Sequence, residues 1–153
     1  MKHKFYAVLS IIRRKIQKLL GISTLGVRAI VLNDKNEILL VRQSYESGWF
    51  LPGGGVDKKE PLQAAVKREL IEEVGIYVED EPRLFACYIN SLRGATDYPF
   101  LFIVNKFRQV ASHSPEIAEH GWYSYDALPE KTSPGSKRRL QEYFDKVIPS
   151  EKW

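Results

Sequence analysis

The chain has 153 residues, of which 44% are hydrophobic and 12% aromatic, enough apolar material for one globular domain with a core. Its net charge of +4 would suit a nucleic-acid-binding protein if the basic residues covered one folded face. Six of the 23 basic residues, but none of the 19 acidic ones, lie in residues 1–22, so the remainder is slightly acidic and no DNA partner is expected.

Residues 1–22 form the first predicted element, a basic amphipathic helix. Apolar side chains recur there at helical spacing, at Ile12, Ile16, Leu19 and Leu20. The longest apolar run is too short to cross a bilayer, and no small-residue cleavage site follows it. The segment is predicted either to pack on its own domain or a dimer partner, or to lie on an anionic membrane surface. A cytoplasmic protein is expected, with peripheral membrane attachment as the alternative.

A core domain is predicted for residues 23–153, and it begins with strands. Two apolar runs, VRAIVL and EILLVR, flank the turn-forming NDKN, which predicts a β-hairpin over residues 27–42. A Gly/Pro-rich turn, YESGWFLPGGG, follows. Three later strand candidates are RLFACYI, PFLFIVNKF and GWYSY. Cys87 lies in the first of these; as the single cysteine it excludes an intramolecular disulfide, and it is predicted to be buried.

Two helices are predicted within this domain. The first covers residues 61–74, because proline suits a first helical turn and Gly75 stands where a terminating glycine belongs. The second covers residues 134–147 and is entered at Ser133-Pro134.

The first of these helices concentrates acids near its C-terminal end. Glu69, Glu72 and Glu73 repel one another at three- and four-residue spacing, and the helix dipole adds to the cost. At about 100° per residue they lie beside the apolar stripe of the helix, at the edge of the core. Arg68 can pair with Glu72 at i,i+4 spacing. A hard divalent cation bound by carboxylate oxygens would remove the repulsion, whereas the alternative is a solvated charged face.

The glycines ahead of the helix extend this pattern. Successive glycines let backbone approach a ligand closely. Residues 54–76 fill every specified position of GX5EX7REUXEEXGU, where U is a bulky aliphatic residue. Those positions are Gly54, Glu60, Arg68, Glu69, Leu70, Glu72, Glu73, Gly75 and Ile76. The chain therefore resembles the Nudix hydrolases, and the preceding strands and the later EIAEHGWYSYDALPE extend the resemblance over most of residues 24–145.

The resemblance implies an α/β fold of the α+β type, an α/β/α sandwich in which helices flank a mixed β-sheet. It also implies that water hydrolyses the pyrophosphate linkage of a nucleoside diphosphate derivative, with Mg²⁺ or Mn²⁺ as cofactor and a small-molecule nucleotide as partner. Nucleoside triphosphates, nucleotide sugars and ADP-ribose remain open as substrates. The alternatives are a non-hydrolytic nucleotide-binding regulator of the same fold and an RNA 5′-end pyrophosphohydrolase.

The resemblance also assigns roles by motif position. It implies four metal ligands: the carboxylates of Glu69, Glu72 and Glu73 and the backbone carbonyl of Gly53. Arg68 is implied to orient the carboxylates. Glu60 is interpreted as a capping or loop-anchoring acid, and Gly54 and Gly75 as structural residues.

The general base and the nucleobase contacts are less fixed. The candidates for the base are Glu69, Glu72, Glu116 and Glu119. Glu119, three residues before Trp122, matches the family's position for an acid ahead of a strand better than Glu116 does, although both can also be solvated loop acids. Aromatic residues that could stack on a base are Trp49, Phe50, Tyr88 and Trp122. Aromatic residues at strand spacing more often belong to the core.

Overall fold

The structure is a computed structural model that describes residues 23–92 and 95–153. The helix predicted for residues 1–22 lies outside the described residues. The strands are β1 (Thr24–Val31), β2 (Ile38–Gln43), β3 (Ile76–Val78), β4 (Arg83–Cys87), β5 (Asn90–Leu92), β6 (Ala95–Val104), β7 (Phe107–Gln109) and β8 (Ile117–Tyr123). The helices are α1 (Leu62–Val74) and α2 (Pro134–Phe144), with a 3-10 turn at Tyr125–Ala127 between β8 and α2. This mixture of strands and helices is the α+β class that the sequence predicts.

Three sheets are built from these strands. In the largest, β1 runs parallel to β6, and β4 and β5 pair antiparallel with β6. β2 pairs antiparallel with β8, and β3 pairs antiparallel with β7. The parallel pair matches Thr24 with Asp97, so it joins segments that are far apart in the sequence.

The predicted hairpin over residues 27–42 is wrong beyond its turn. The turn itself forms, since Asn33 N–H donates to Glu37 O at 3.1 Å and Leu32 bridges Ile38. Past that bridge β1 and β2 separate and take partners in different sheets. Both strands are apolar on both faces, and such runs need cover on two sides, which a local turn pattern cannot specify.

The core lies on both sides of β1 and β2. Successive strand residues point to opposite faces, so each strand contributes to two apolar clusters. The first cluster packs strand residues against α1: Val27, Ala29, Val31, Leu39 and Val41 with Ala65, Val66, Leu70 and Val74. The second packs the alternate residues toward α2: Ile30, Leu32, Ile38 and Leu40 with Leu51, Leu101 and Leu140. The strands are therefore covered by a helix on each face, as the predicted sandwich requires.

Helix α1 ends at Val74 as the sequence predicts and begins one residue later than predicted, at Leu62. Pro61 precedes it in an extended conformation, and Gly75 ends it with a left-handed φ of 67°. The Gly75 N–H donates back to Ile71 O and Leu70 O, which satisfies carbonyls at the helix end.

Helix α2 begins as predicted but ends three residues early, at Phe144. The Ser133 side chain caps it by accepting a hydrogen bond from Ser136 N–H. Lys146 has a left-handed φ of 54°, which is incompatible with continuing the helix to residue 147.

Cys87 is exposed, so its predicted burial is wrong. It is the last residue of β4, which among the described residues pairs only with β6 and so lies at an edge of its sheet. Within the described residues, no helix is long and apolar enough to cross a membrane.

Candidate active site

The glycine turn lies directly against β1. Val27 N–H donates to Gly54 O at 2.9 Å, and Ala29 N–H donates to Pro52 O at 3.0 Å. Gly53, between these two bonds, has a φ of 132°, and any Cβ there would overlap Val27 O. This position therefore requires glycine, and the turn is fixed to β1.

The turn holds the carboxylate of Glu73. Gly53 N–H donates to Glu73 Oε2 at 2.8 Å, and Glu73 is only 8% exposed. Burial raises the pKa of Glu73 to about 8, opposed by the Gly53 hydrogen bond and by the nearby charge of Arg28. Negative charge on Glu69 and Glu116 raises this pKa further. The negative charge of these carboxylates is therefore only partly balanced by nearby positive charge.

Glu69, one helical turn earlier, faces the same glycine turn. A Cβ on Gly54 would lie 2.5 Å from the Glu69 carboxylate carbon, so the acid occupies the space that a side chain would need. Burial raises the pKa of Glu69, while the hydrogen bond from Arg68 lowers it. Two desolvated carboxylates thus meet at the glycine turn.

Arg68 connects these acids to the loop before the helix. Its Nε and Nη2 donate to the two oxygens of Glu60 at 2.8 and 2.9 Å, and Nη1 donates to Glu69 Oε1 at 2.8 Å. Nη2 also donates to Gly55 O at 2.9 Å. The contact with Glu72 that the i,i+4 spacing predicts is present but longer, at 3.3 Å. Arg68 orients Glu69 in this geometry, and Glu60 holds Arg68.

Glu60 anchors the loop and does not cap the helix. It accepts from Asp57 N–H at 2.9 Å as well as from Arg68, whereas α1 has no side-chain cap within the described part of the chain. The hydrogen bond from Arg68 holds the pKa of Glu60 at about 2. The loop-anchoring interpretation is therefore the one that fits.

Glu72 lies apart from the other two acids. Its side chain is 59% exposed, and its Oε2 accepts from Arg68 Nη1 at 3.3 Å. Within residues 23–92 and 95–153, no three acidic, histidine or cysteine side chains converge as a metal site would require. The structure therefore brings together Glu69, Glu73 and the Gly53–Gly54 turn, and it leaves Glu72 at the rim.

The two acids before β8 have different surroundings. Glu119 lies opposite Arg42 on β2, and its Oε2 accepts from Arg42 Nη2 at 2.8 Å with both side chains about half exposed. Glu116 is close enough to Glu73 to raise the pKa of that acid. A cavity of about 310 Å³ is lined by Glu73 together with residues 112–114 and 117–120, so Glu119 shares this cavity with Glu73. The charge of Glu116 acts on Glu73, whereas Glu119 lines the cavity beside Glu73, so both stay candidates for the acid that acts with Glu73.

Two residues at the site, Tyr45 and Arg28, lie outside the sequence motif. Burial raises the pKa of Tyr45 to about 12, with further contributions from Glu116 and Glu73, so its hydroxyl stays protonated beside the acids. Arg28 Nη1 donates to Val27 O at 2.8 Å and to Gly54 O at 3.4 Å, which places its guanidinium at the glycine turn. The sequence could have indicated Arg28, because it is a charged residue inside the apolar run VRAIVL.

The aromatic candidates lie in or against the core. Tyr88 is 1% exposed and donates to Glu142 Oε2 at 2.8 Å, so it cannot stack on a base, and that interpretation is wrong. Trp49 packs edge-on against Tyr123 at 5.2 Å between ring centres. Trp122 stacks on Phe107 at 5.7 Å, and Phe50 packs against the first cluster. A role in core packing therefore describes these positions better than a role in base stacking.

Comparisons with known proteins identify the family of the chain. The family model for the NUDIX domain matches residues 23–143. A Bacillus subtilis (strain 168) protein, provisionally named an 8-oxo-dGTP diphosphatase, is 31% identical over 134 residues, covering 78% of this chain and 79% of that protein. The RNA pyrophosphohydrolase of Ectopseudomonas mendocina (strain ymp) is 36% identical over 68 residues, covering 44% of this chain and 42% of that protein.

A solved structure gives the same result for the fold. The MutT protein from Methanosarcina mazei Go1 superposes with a TM-score of 0.70 at 29% identity, covering 81% of this chain and 94% of that one. Because the family model spans the whole region from β1 to α2 and includes every motif residue, the chain belongs to the NUDIX domain family and is a Nudix hydrolase.

Proposed function

We propose that the protein is a metal-dependent pyrophosphohydrolase that cleaves the pyrophosphate linkage of a nucleoside diphosphate derivative. The observation that carries the proposal is the meeting of two desolvated carboxylates, Glu69 and Glu73, at the Gly53–Gly54 turn. A nucleoside triphosphate is the first substrate to test, because the similar Bacillus subtilis protein is named for 8-oxo-dGTP. Nucleotide sugars and ADP-ribose complete the substrate class.

The residues at the turn fit a divalent cation. Carboxylate oxygens are the ligands that Mg²⁺ and Mn²⁺ prefer, and Glu73 and Glu69 supply them where nearby negative charge is uncompensated. The backbone carbonyl of Gly53 can add a further ligand. The exposed side chain of Glu72 can add another from the solvent side of the site. When bound, the cation would neutralise charge on the phosphates and on the leaving oxygen.

The chain's own groups would position and activate the reactants. Arg68 fixes Glu69, and the Gly53 amide fixes Glu73, so neither carboxylate has to reorganise when a nucleotide arrives. Glu116 would accept the proton of the attacking water, with Glu119 as the alternative base. Tyr45, protonated beside these acids, would donate a hydrogen bond toward a phosphate oxygen.

The experiment is a hydrolysis assay on the full-length protein. A panel of nucleoside triphosphates, nucleotide sugars and ADP-ribose is incubated with Mg²⁺ or Mn²⁺, and released phosphate or pyrophosphate is measured. We expect turnover of at least one class, abolished by chelation and by Glu73→Gln. Glu79→Gln, which neutralises an exposed acid away from the turn, is the matched control. Activity of Glu73→Gln within a few-fold of the wild type would refute the ligand assignment.

A second candidate function is RNA 5′-end pyrophosphohydrolysis. The similarity of a 68-residue stretch to an RNA pyrophosphohydrolase favours including it, although the slightly acidic domain is poorly suited to a long anionic chain. A 5′-triphosphorylated RNA belongs in the same panel. Silence on every substrate while metal binding is retained would instead support the nucleotide-binding regulator.

The location of the protein is also open to a direct test. We propose a cytoplasmic protein whose residues 1–22 contact a dimer partner or a membrane surface. Co-sedimentation of the full chain and of residues 23–153 with anionic liposomes separates these possibilities. Equal, negligible pelleting of both would eliminate the membrane contact.

A further inference from the structure

We propose that Arg28 is a binding residue for the anionic phosphate groups of the substrate. It lies on β1 at the glycine turn, outside the sequence motif, and nothing in the motif predicts it. The inference deepens the proposed function and rests on it, because the pyrophosphate group is the ligand that Arg28 would take. Two arginines, Arg28 and Arg68, flank the turn, and they differ in how their guanidinium groups are engaged.

Arg68 is not available to a substrate. All three of its guanidinium nitrogens are engaged, by Glu60, Glu69, Glu72 and the carbonyl of Gly55. A phosphate oxygen would have to displace a carboxylate that is already held in bidentate geometry. Arg68 therefore stabilises the site from within and does not bind substrate.

Arg28 is engaged through a single nitrogen. Its Nη1 donates to Val27 O and, at 3.4 Å, to Gly54 O. Among the described residues, Nε and Nη2 donate to no protein group and no carboxylate pairs with the guanidinium. Residues 1–22, 93 and 94 contain no acid, so they cannot supply a carboxylate either. Arg28 thus keeps the planar donor pair that binds two oxygens of a phosphate.

The position of Arg28 matches where a phosphate must lie. Gly54 contacts Arg28 through its carbonyl and Glu69 through the face that a Cβ would occupy. The positive charge of Arg28 acts on Glu69, Glu73 and Tyr45 alike. A phosphate held between Arg28 and the proposed metal ligands would thus have positive charge on both sides of the linkage to be cleaved.

Binding of inorganic pyrophosphate tests this placement. Isothermal titration with pyrophosphate and Mg²⁺ compares the wild type with Arg28→Gln, which removes the charge but keeps a polar side chain. We expect affinity to fall roughly ten- to a hundredfold, the range for a lost charge-assisted hydrogen bond. Arg28→Lys should recover part of this loss. Arg83→Ala, which removes an exposed arginine on β4, should bind as the wild type does.

Kinetics with any substrate that the hydrolysis panel identifies separate binding from folding effects. Arg28→Gln should raise KM more than it lowers kcat, and circular dichroism should report an unchanged fold. Unchanged pyrophosphate affinity in Arg28→Gln, or a wild type that binds none, overturns the inference. If Arg28→Gln hydrolyses the substrate as the wild type does, this inference is refuted but the proposed function is not. Arg28-dependent binding without any hydrolysis would refute the proposed reaction and leave this assignment standing.

Discussion

The amide of Gly53 donates a 2.8 Å hydrogen bond to Oε2 of Glu73, twenty residues away in the sequence. This bond joins the glycine turn to the C-terminal end of α1, and β1 supports the turn from the other side. The acid is therefore positioned by three separate segments of the chain, so a change in any of them should alter the site.

Gly54→Ala should damage the site without unfolding the protein. The new Cβ would lie 2.5 Å from the Glu69 carboxylate, which must move. Because a shift of about 1 Å in a reacting group can cost on the order of a hundredfold in rate, we expect a loss of that size in kcat. Gly55→Ala is the matched control, since Gly55 is exposed and has no left-handed φ. Equal activity of both variants would contradict the packing described for Glu69.

Metal-free protein should lose stability as the pH rises from about 5 to 8. The pKa of Glu73 is raised from 4.5 to about 8 in the folded state, so the folded chain binds more protons than the unfolded chain across that interval. Stability then falls with increasing pH, and the loss is complete above pH 8. Urea unfolding midpoints at several pH values in the presence of a chelator measure it.

Glu73→Gln provides the control for this pH effect, because glutamine does not titrate. Its midpoints should vary less over the same interval, and Mg²⁺ should flatten the wild-type curve. Wild-type and variant curves of the same shape would exclude Glu73 as the titrating group.

Glu116→Gln should reduce turnover more than Glu119→Gln. Glu116 acts on Glu73 electrostatically, whereas Glu119 is paired with Arg42 in solvent. We expect a loss of roughly a hundredfold or more for a general base, within the usual range for general acid–base catalysis, and a change within a few-fold for a surface ion pair. Rates measured between pH 5 and 9 decide between them. A larger loss in Glu119→Gln would instead support Glu119, the base that its position three residues before Trp122 favours.

Ser136→Ala should destabilise the glycine turn from the side of α2. Ser136 Oγ accepts from Leu51 N–H at 3.1 Å, and both groups are buried. Losing the acceptor leaves that N–H unpaired, at a cost of about 1–3 kcal/mol in the free energy of unfolding. Chemical denaturation measures it, with the exposed Ser47→Ala as comparison. A difference below about 0.5 kcal/mol would mean that the bond does not support the turn.

The sequence predicts α1 and its acids well because the relevant signals are local. Pro61 and Gly75 mark the helix ends, and the spacing from Gly54 to Glu73 lies within a single turn-and-helix unit. Strand pairing is different, because β1 finds β6 across about seventy residues and no short pattern specifies that choice. The predicted hairpin failed for this reason.

Exposure and charge environment were equally hard to predict. Cys87 and Tyr88 are neighbours in one apolar run, yet the cysteine is exposed and the tyrosine is buried. Glu116 and Glu119 differ by whether Arg42 lies opposite, which depends on the register of β2 and β8. Arg28 was overlooked because a charged residue in an apolar strand has meaning only once its neighbours are known.

The parallel pairing of β1 with β6 has a consequence for synthesis on the ribosome. Val27, Ala29 and Ile30 emerge early, but their partners Phe100, Phe102 and Ile103 are made much later, and Ser136 later still. Until then the apolar β1 has a free edge that can pair with another nascent chain. The glycine turn can reach its final geometry only when almost the whole domain has left the exit tunnel.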